Sequence, residues 1–158
     1  YIRSGLNLVR ILVRRVSSAS VQVGGSVVGK IDQGLAVYVG IEKNDEYSDL
    51  EWSIKKITGL RIFDDKEGKM NLPIDVKMGI LVISQFTLHG NLKKGYRPSF
   101  NRAAVPALAS SLYGKFVEML GESFDGLLQT GKFGAHMDIA LKEDGPVTIW
   151  LDSKNKNY

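Results

Sequence analysis

A chain of 158 residues with 44% hydrophobic residues is long enough for one domain with its own core. It has no Cys, which excludes a disulfide framework and a thiol nucleophile, and its two His stand far apart with no carboxylates at ligand spacing, which speaks against a metal site. The net charge of +4 is modest, so contact with nucleic acid is expected from a local basic patch, and no apolar run approaches the ~18 residues needed to span a bilayer.

Leu8 to Val16 is apolar and β-branched with arginines inserted, the pattern of a strand. Val21 to Val23, the pair Gly24-Gly25 and Ser26 to Ile31 then read as a hairpin, because a tight turn wants the positive φ that glycine supplies. Leu35 to Ile41 continues as a buried strand, so the first quarter is a β-meander. Asn44 or Asp45 is placed to cap a helix through Leu60, in which Leu50, Ile54 and Ile57 form one apolar face and Trp52 falls off it. Arg61-Ile62-Phe63 is a short strand before the turn Asp64 to Gly68. That acidic turn does not read as a calcium loop, since Lys66 occupies a position that would need a ligand.

Ile80 to Gly90 is an apolar run that turns polar at Ser84 and stops at a glycine, a buried strand delivering its last residues to a rim. The basic loop after it carries Lys93, Lys94, Arg97 and Arg102. Pro106 to Leu120 repeats Leu108, Leu112, Phe116 and Leu120 at four-residue spacing with Tyr113 beside them, the core face of a second helix. Leu127 to Thr130, Met137 to Leu141 and Val147 to Leu151 are three further strand candidates, and the polar tail from Lys154 to Tyr158 reads as frayed. Grouped strands with two interspersed helices favour an α+β fold on an antiparallel or mixed sheet.

Several residues invite chemistry. Thr87 and His89 share a face if both lie on a strand, which suggests a hydroxyl nucleophile with its base, yet no orienting acid accompanies them and His89 is expected as a solvated rim histidine. Phe86 is either a core residue or a ring on which a base can stack. Arg15 lies on the face of Ile11 and Val13 and therefore needs an acceptor partner, unless it reaches water from an edge strand. Gly145-Pro146 alone is expected trans, because only about 5–6% of X-Pro bonds are cis.

Ser84-Gln85-Phe86-Thr87-Leu88 and Asp144-Gly145-Pro146-Val147-Thr148 resemble, in order, two signatures of the D-aminoacyl-tRNA deacylases. Arg10 to Val16, Lys69 to Leu72, Arg97 to Phe100 and Thr130 to Gly134 add to the resemblance, which spans roughly Val9 to Ser153. It implies a closed, barrel-like sheet flanked by two main helices in a homodimer, with 9–153 as a single domain, 1–8 as an extension ahead of the family's usual start and 154–158 as a tail.

The implied activity is hydrolysis of the ester joining a D-amino acid, or glycine, to tRNA, in the cytoplasm and without a cofactor. Ser84, Gln85, Phe86 and Thr87 would be the catalytic segment, lining a pocket for the terminal adenosine and offering the backbone N–H groups of Phe86 and Thr87 as an oxyanion hole. Gly145 and Pro146, held cis in the family, would enter the other subunit's pocket, receive the substrate ammonium on their carbonyls and reject L side chains sterically. Arg15 would brace that pair, Phe133 and Met137 would line the pocket, and Lys93, Lys94 and Arg97 would hold acceptor-stem phosphates of the aminoacyl-tRNA.

Three positions depart from the family's usual pattern. His89 stands where an aromatic residue is common, Arg14-Arg15 where Gln-Arg is usual, and Glu143-Asp144 where Asn-Asp is usual. Two rival readings are a sibling deacylase that clears a small L-amino acid, which needs the Gly-Pro wall turned away, and a nucleic-acid-binding module without catalysis.

Overall fold

The computed structural model describes residues 9–157, so the extension expected at 1–8 lies outside the described residues. The sheet is organised on β1 (Arg10–Val23), which pairs antiparallel with β2 (Ser26–Ile31), β3 (Gly34–Gly40) and β8 (Asp138–Asp152). Parallel ladders then run from β3 to β6 (Gly79–Ser84) and from β6 to β7 (Leu127–Thr130). The last of these returns to β2 without a ladder: Lys30 N–H donates to Gln129 Oε1 at 3.4 Å. At this seam a Cβ on Gly29 would stand 2.4 Å from the Thr130 carbonyl oxygen, so only glycine permits the approach. The result is a mixed, nearly closed barrel.

β1 serves both faces of the sheet because it changes face midway. Ile11 and Val13 are buried with the helices, whereas Val16, Ala19 and Val21 are buried in a second cluster with Ile31, Ala36, Leu81 and Ile83. Arg15 still shares the face of Ile11 and Val13 while Val16 points to the other, so the switch falls between Val16 and Ala19, where the β1–β8 register shifts again between Val16 and Ser18. An added residue on one strand produces such a break and bends the strand.

The larger cluster fills the space between the sheet and α1 (Tyr47–Gly59) and α2 (Pro106–Ser123). Leu50, Ile54 and Ile57 of α1 are buried as their spacing requires, while α2 contributes Tyr113, Phe116, Met119 and Leu120. Leu108 is 38% exposed, so the apolar stripe expected to start there begins a turn later. Among the described residues no helix is long and apolar enough to cross a membrane.

Four local expectations are corrected. The first helix starts at Tyr47, capped by Glu46 with Asp49 in a reciprocal capping box, while the Asp45 carboxylate accepts the Glu42 N–H at 2.5 Å. The strand expected at 61–63 shrinks to β4 (Phe63–Asp64), paired with β5 (Met70–Leu72). Met137 to Leu141 and Val147 to Leu151 belong to one long strand, β8. The tail is tied at its start, since Lys154 Nζ lies 3.0 Å from Asp49 Oδ1 and Lys156 sits over the Trp52 ring.

Candidate active site

β6 ends at Ser84, and the chain then leaves the sheet. Gln85 N–H still donates to Val39 O at 2.7 Å, but Phe86–His89 is a 3-10 turn and not the end of a strand. Its internal bonds, Leu88 N to Gln85 O and Gly90 N to Thr87 O, leave the N–H groups of Phe86 and Thr87 outside the turn's own pattern. Successive residues of such a turn rotate by about a third of a circle, so Thr87 and His89 do not share a face. Thr87 is exposed and accepts a hydrogen bond from Gln85 Nε2, whereas His89 is 1% exposed. The Thr-His pair is therefore not assembled, and the solvated rim histidine is a buried one.

Among the described residues neither ring nitrogen of His89 has a hydrogen-bond partner, the Gly40 backbone being a polar neighbour without bonding geometry. Burial, aided by the Arg10 and Arg102 guanidiniums, holds the imidazole below its ordinary pKa of 6.5, against the opposing pull of Gly40 and Asp152. Arg10 also reaches the turn directly, its Nη1 donating to Leu88 O at 2.9 Å.

Beside the turn opens a cavity of about 500 Å³, mostly apolar, lined by Ser84, Gln85 and Phe86 on one side and by Phe133 and Met137 on another. Phe86 is 58% exposed and meets Phe100 edge to face at 5.0 Å, so its ring is a wall at the mouth and not a core residue. Tyr113 closes the floor: its hydroxyl donates to Val82 O at 3.3 Å, burial pushes its pKa up to about 12, and its ring lies 5.6 Å from that of Phe133. Tyr113 is the core residue its spacing predicts and also lines the cavity, whereas Ala103, Ala104 and His136, which line it too, stand out in no sequence motif. Their one available signal was position, on the segments that flank Phe100 and Phe133.

Gly145 and Pro146 lie elsewhere. Arg14 pairs with Thr148 and Val16 with Glu143, so four residues of β8, Asp144 to Val147, oppose the single residue Arg15. They form an excursion from the ladder, in which the Gly145–Pro146 bond is cis and both residues are exposed. Gly145 has φ +153°, and a Cβ there would stand 2.4 Å from Val147 N. Neither residue lines the cavity of its own chain.

Arg15, 8% exposed, meets its need for acceptors at the root of the excursion. Its Nη1 donates to Ile62 O at 2.7 Å and its Nε to Asp144 O at 3.0 Å, with the Asp144 carboxylate at 3.2 Å. It thus holds the residue ahead of Gly145 and not the Gly-Pro carbonyls.

Lys93, Lys94 and Arg97 are exposed on a loop pinched shut where Asn91 and Ser99 exchange hydrogen bonds of 2.8 and 2.9 Å. None of the three makes an ion pair among the described residues, whereas Arg102 is diverted to Glu42 at 3.7 Å. The loop leaves from the 3-10 turn and returns at Ala103-Ala104, so it borders the cavity mouth.

The sequence profile of D-Tyr-tRNA(Tyr) deacylase matches residues 12–152. A D-aminoacyl-tRNA deacylase of Thermotoga petrophila is 52% identical over 91% of this chain and 97% of its own, and one of Chloroherpeton thalassium is 51% identical over 93% and 97%. Among solved structures, a c-Myc DNA unwinding element binding protein superposes with a TM-score of 0.82 at 39% identity, covering 90% of this chain and 97% of that one. A probable eukaryotic D-amino acid tRNA deacylase shares the fold, with a TM-score of 0.77 at 18% identity over 92% and 99% of the two chains. With a match of this extent and identity, the chain belongs to the D-Tyr-tRNA(Tyr) deacylase family.

Proposed function

We propose that this protein hydrolyses the ester of D-aminoacyl-tRNA, and of glycine carried on a tRNA, as a chirality check in the cytoplasm, with residues 9–153 as the working unit. The observation that carries the reading is the meeting of Ser84, Gln85 and Phe86 with Phe133 and Met137, from distant parts of the chain, around one apolar cavity with an aromatic mouth. A terminal adenosine is a flat apolar group with polar edges, and such a cavity with few polar groups suits it.

In this reading the 3' end of the tRNA lies against Phe86, and the N–H groups of Phe86 and Thr87 face the ester carbonyl, where negative charge develops during hydrolysis. The ester is already activated and carries a neighbouring ribose hydroxyl. The protein therefore has to orient water, stabilise the oxyanion and hold the ammonium group, and a side-chain nucleophile is unnecessary.

The second half of the site comes from a second copy of the chain. Gly145 and Pro146 are exposed and away from their own cavity, so they supply ammonium acceptors and a wall only to a neighbour. With ester and ammonium fixed, an L side chain points into that wall and a D side chain points away. The basic loop with Lys93, Lys94 and Arg97 meets phosphates beside the mouth.

Deacylation of matched D- and L-aminoacyl-tRNA tests the reading: rapid release from the D substrate alone is expected, and equal rates or none refute it. A preference for a small L-amino acid selects the sibling activity. The likeness to a c-Myc DNA unwinding element binding protein raises DNA binding, which would show as a tighter, salt-sensitive affinity for duplex DNA than for aminoacyl-tRNA.

A further inference from the structure

Two of the departures from the family's usual pattern, Arg14 and Glu143, touch one another: Arg14 Nη2 lies 2.6 Å from Glu143 Oε1. Their positions in the ladder give the contact a meaning. Arg14, paired with Thr148, is the last β1 residue in register on one side of the excursion, and Glu143, paired with Val16, is the last β8 residue in register on the other. The side-chain bond runs diagonally across the neck from which Asp144 to Val147 emerge. Arg15 grips Asp144, and neighbouring residues on a strand point to opposite faces, so the neck is held from both.

We propose that the Arg14–Glu143 ion pair is a positioning device for Gly145 and Pro146, closing the neck of the excursion opposite Arg15 and fixing the angle at which the pair projects. This rests on the reading of Gly145–Pro146 as the wall that excludes L substrates. The side chains are 33% and 34% exposed, so the pair adds little to global stability, as partly solvated ion pairs generally do. Its short, charge-assisted contact nevertheless restricts the orientation of the residues that carry it. A wall works by steric fit, and a misplacement of about 1 Å is enough to change which substrate fits.

The pair also accounts for the departures together. An arginine at 14 facing a neutral partner, or a glutamate at 143 facing one, leaves a half-buried charge without its counterion, so each substitution makes sense in the presence of the other. Arg14→Gln, Glu143→Gln and the double variant, made in the full chain, test this through kcat/KM on matched D- and L-aminoacyl-tRNA, with thermal unfolding measured alongside.

Each single variant is expected to lower the D-over-L ratio by about fivefold with little change in unfolding temperature, and the double variant to lose no more than either single one, because both singles already remove the same contact. A purely structural pair would lower stability and leave the ratio alone. Single variants that keep the wild-type ratio, or a double variant whose loss is the sum of the two, overturn the proposal while a D-selective wild type leaves the parent reading standing. A wild type without D-over-L preference removes both.

Discussion

The 3-10 turn and the β8 excursion are built in opposite ways. Phe86–His89 is backed by buried structure, with Gln85 bonded to β3, Leu88 O bonded to Arg10 and His89 sealed beneath it. Asp144–Pro146 stands out from its sheet, and it is held at its root by Arg14 and Arg15 and by Val147, which is buried in the larger core cluster. In the proposed site the first half is a floor that the fold cannot easily move, and the second is a projection aimed by two arginines and one buried valine. Substitutions near the turn should thus act through rate or stability, and those at the root of the excursion through selectivity.

The largest effect is expected from Arg15→Ala, which leaves the Ile62 carbonyl without its buried donor and frees Asp144. Stability should fall by about 1–3 kcal/mol, and the D-over-L ratio of kcat/KM by about 100-fold as the wall loses its aim. Arg15→Lys should recover little of this, because an ammonium cannot reproduce the forked contacts of the guanidinium. Full selectivity in a folded Arg15→Ala protein would contradict the division drawn above.

Next comes the assignment of the two halves to different copies. Gly145→Ala forces a Cβ against Val147 N, and Phe86→Ala opens the cavity mouth, so each homogeneous protein should lose most activity. Mixed and reassembled, the two should regain part of it, since some sites then combine an intact turn with an intact excursion. Absence of recovery in confirmed mixed dimers, or a fully active monomer in sedimentation, would put both halves in one chain.

Smaller and separable is the basic loop. Replacing Lys93, Lys94 and Arg97 by Ala should weaken tRNA binding and flatten its salt dependence by about one unit of log slope per lost phosphate contact. Maximal rate should stay within about twofold. An unchanged salt slope would mark the loop as solvated surface.

His89 gives a test in pH. Its folded pKa lies below 6.5, so the stability tied to its neutral form is complete above that value and is lost as pH falls from 6.5 toward the folded pKa. His89→Phe, an apolar ring where neither nitrogen has a partner, should fold at least as stably and remove that part of the acid slope. Asp45 works with the opposite sign: burial raises it from 3.8 to about 7, so its contribution is complete below 3.8 and is lost as pH rises through about 7. Unfolding curves from pH 4 to 8 in both the wild-type and Asp45→Asn backgrounds separate the two. An acid slope unaltered by His89→Phe would assign it to another group.

The smallest effect belongs to Thr87→Ala. The hydroxyl is exposed and bonded to Gln85, so turnover should stay within about threefold, where loss of a true nucleophile costs ~10⁴–10⁶. A folded, tRNA-binding Thr87→Ala protein without activity would revive the nucleophile.

The strand content and the faces of the helices were legible because they follow from local periodicity: Leu50, Ile54 and Ile57 are buried as their spacing requires. His89 was misplaced because a run of apolar residues does not announce where a strand gives way to a 3-10 turn, and that change of period redirects every later side chain. β8 was read as two strands since Glu143 to Pro146 has a turn's composition, and only the ladder to β1 shows that pairing resumes beyond it. The partners of Arg15 were foreseeable as a need but not as identities, because Ile62 O and Asp144 O come from segments 47 and 129 residues away. The contact of Arg14 with Glu143 was hidden for the same reason.

The seam between β2 and β7 has a consequence of its own. The barrel is closed there by the close approach of Gly29 to the Thr130 carbonyl and by a side-chain bond, without a shared ladder. Amides facing that seam have fewer bonds to break before meeting solvent, so they should exchange with deuterium well ahead of those in the β1–β3 and β3–β6 ladders. Thr130 leads straight through Gly131 to Phe133 and Met137. The joint without a ladder therefore borders the segment that carries one wall of the cavity, and that wall keeps its place through β6, to which Gly131 N–H is bonded at Val82 O, 2.9 Å.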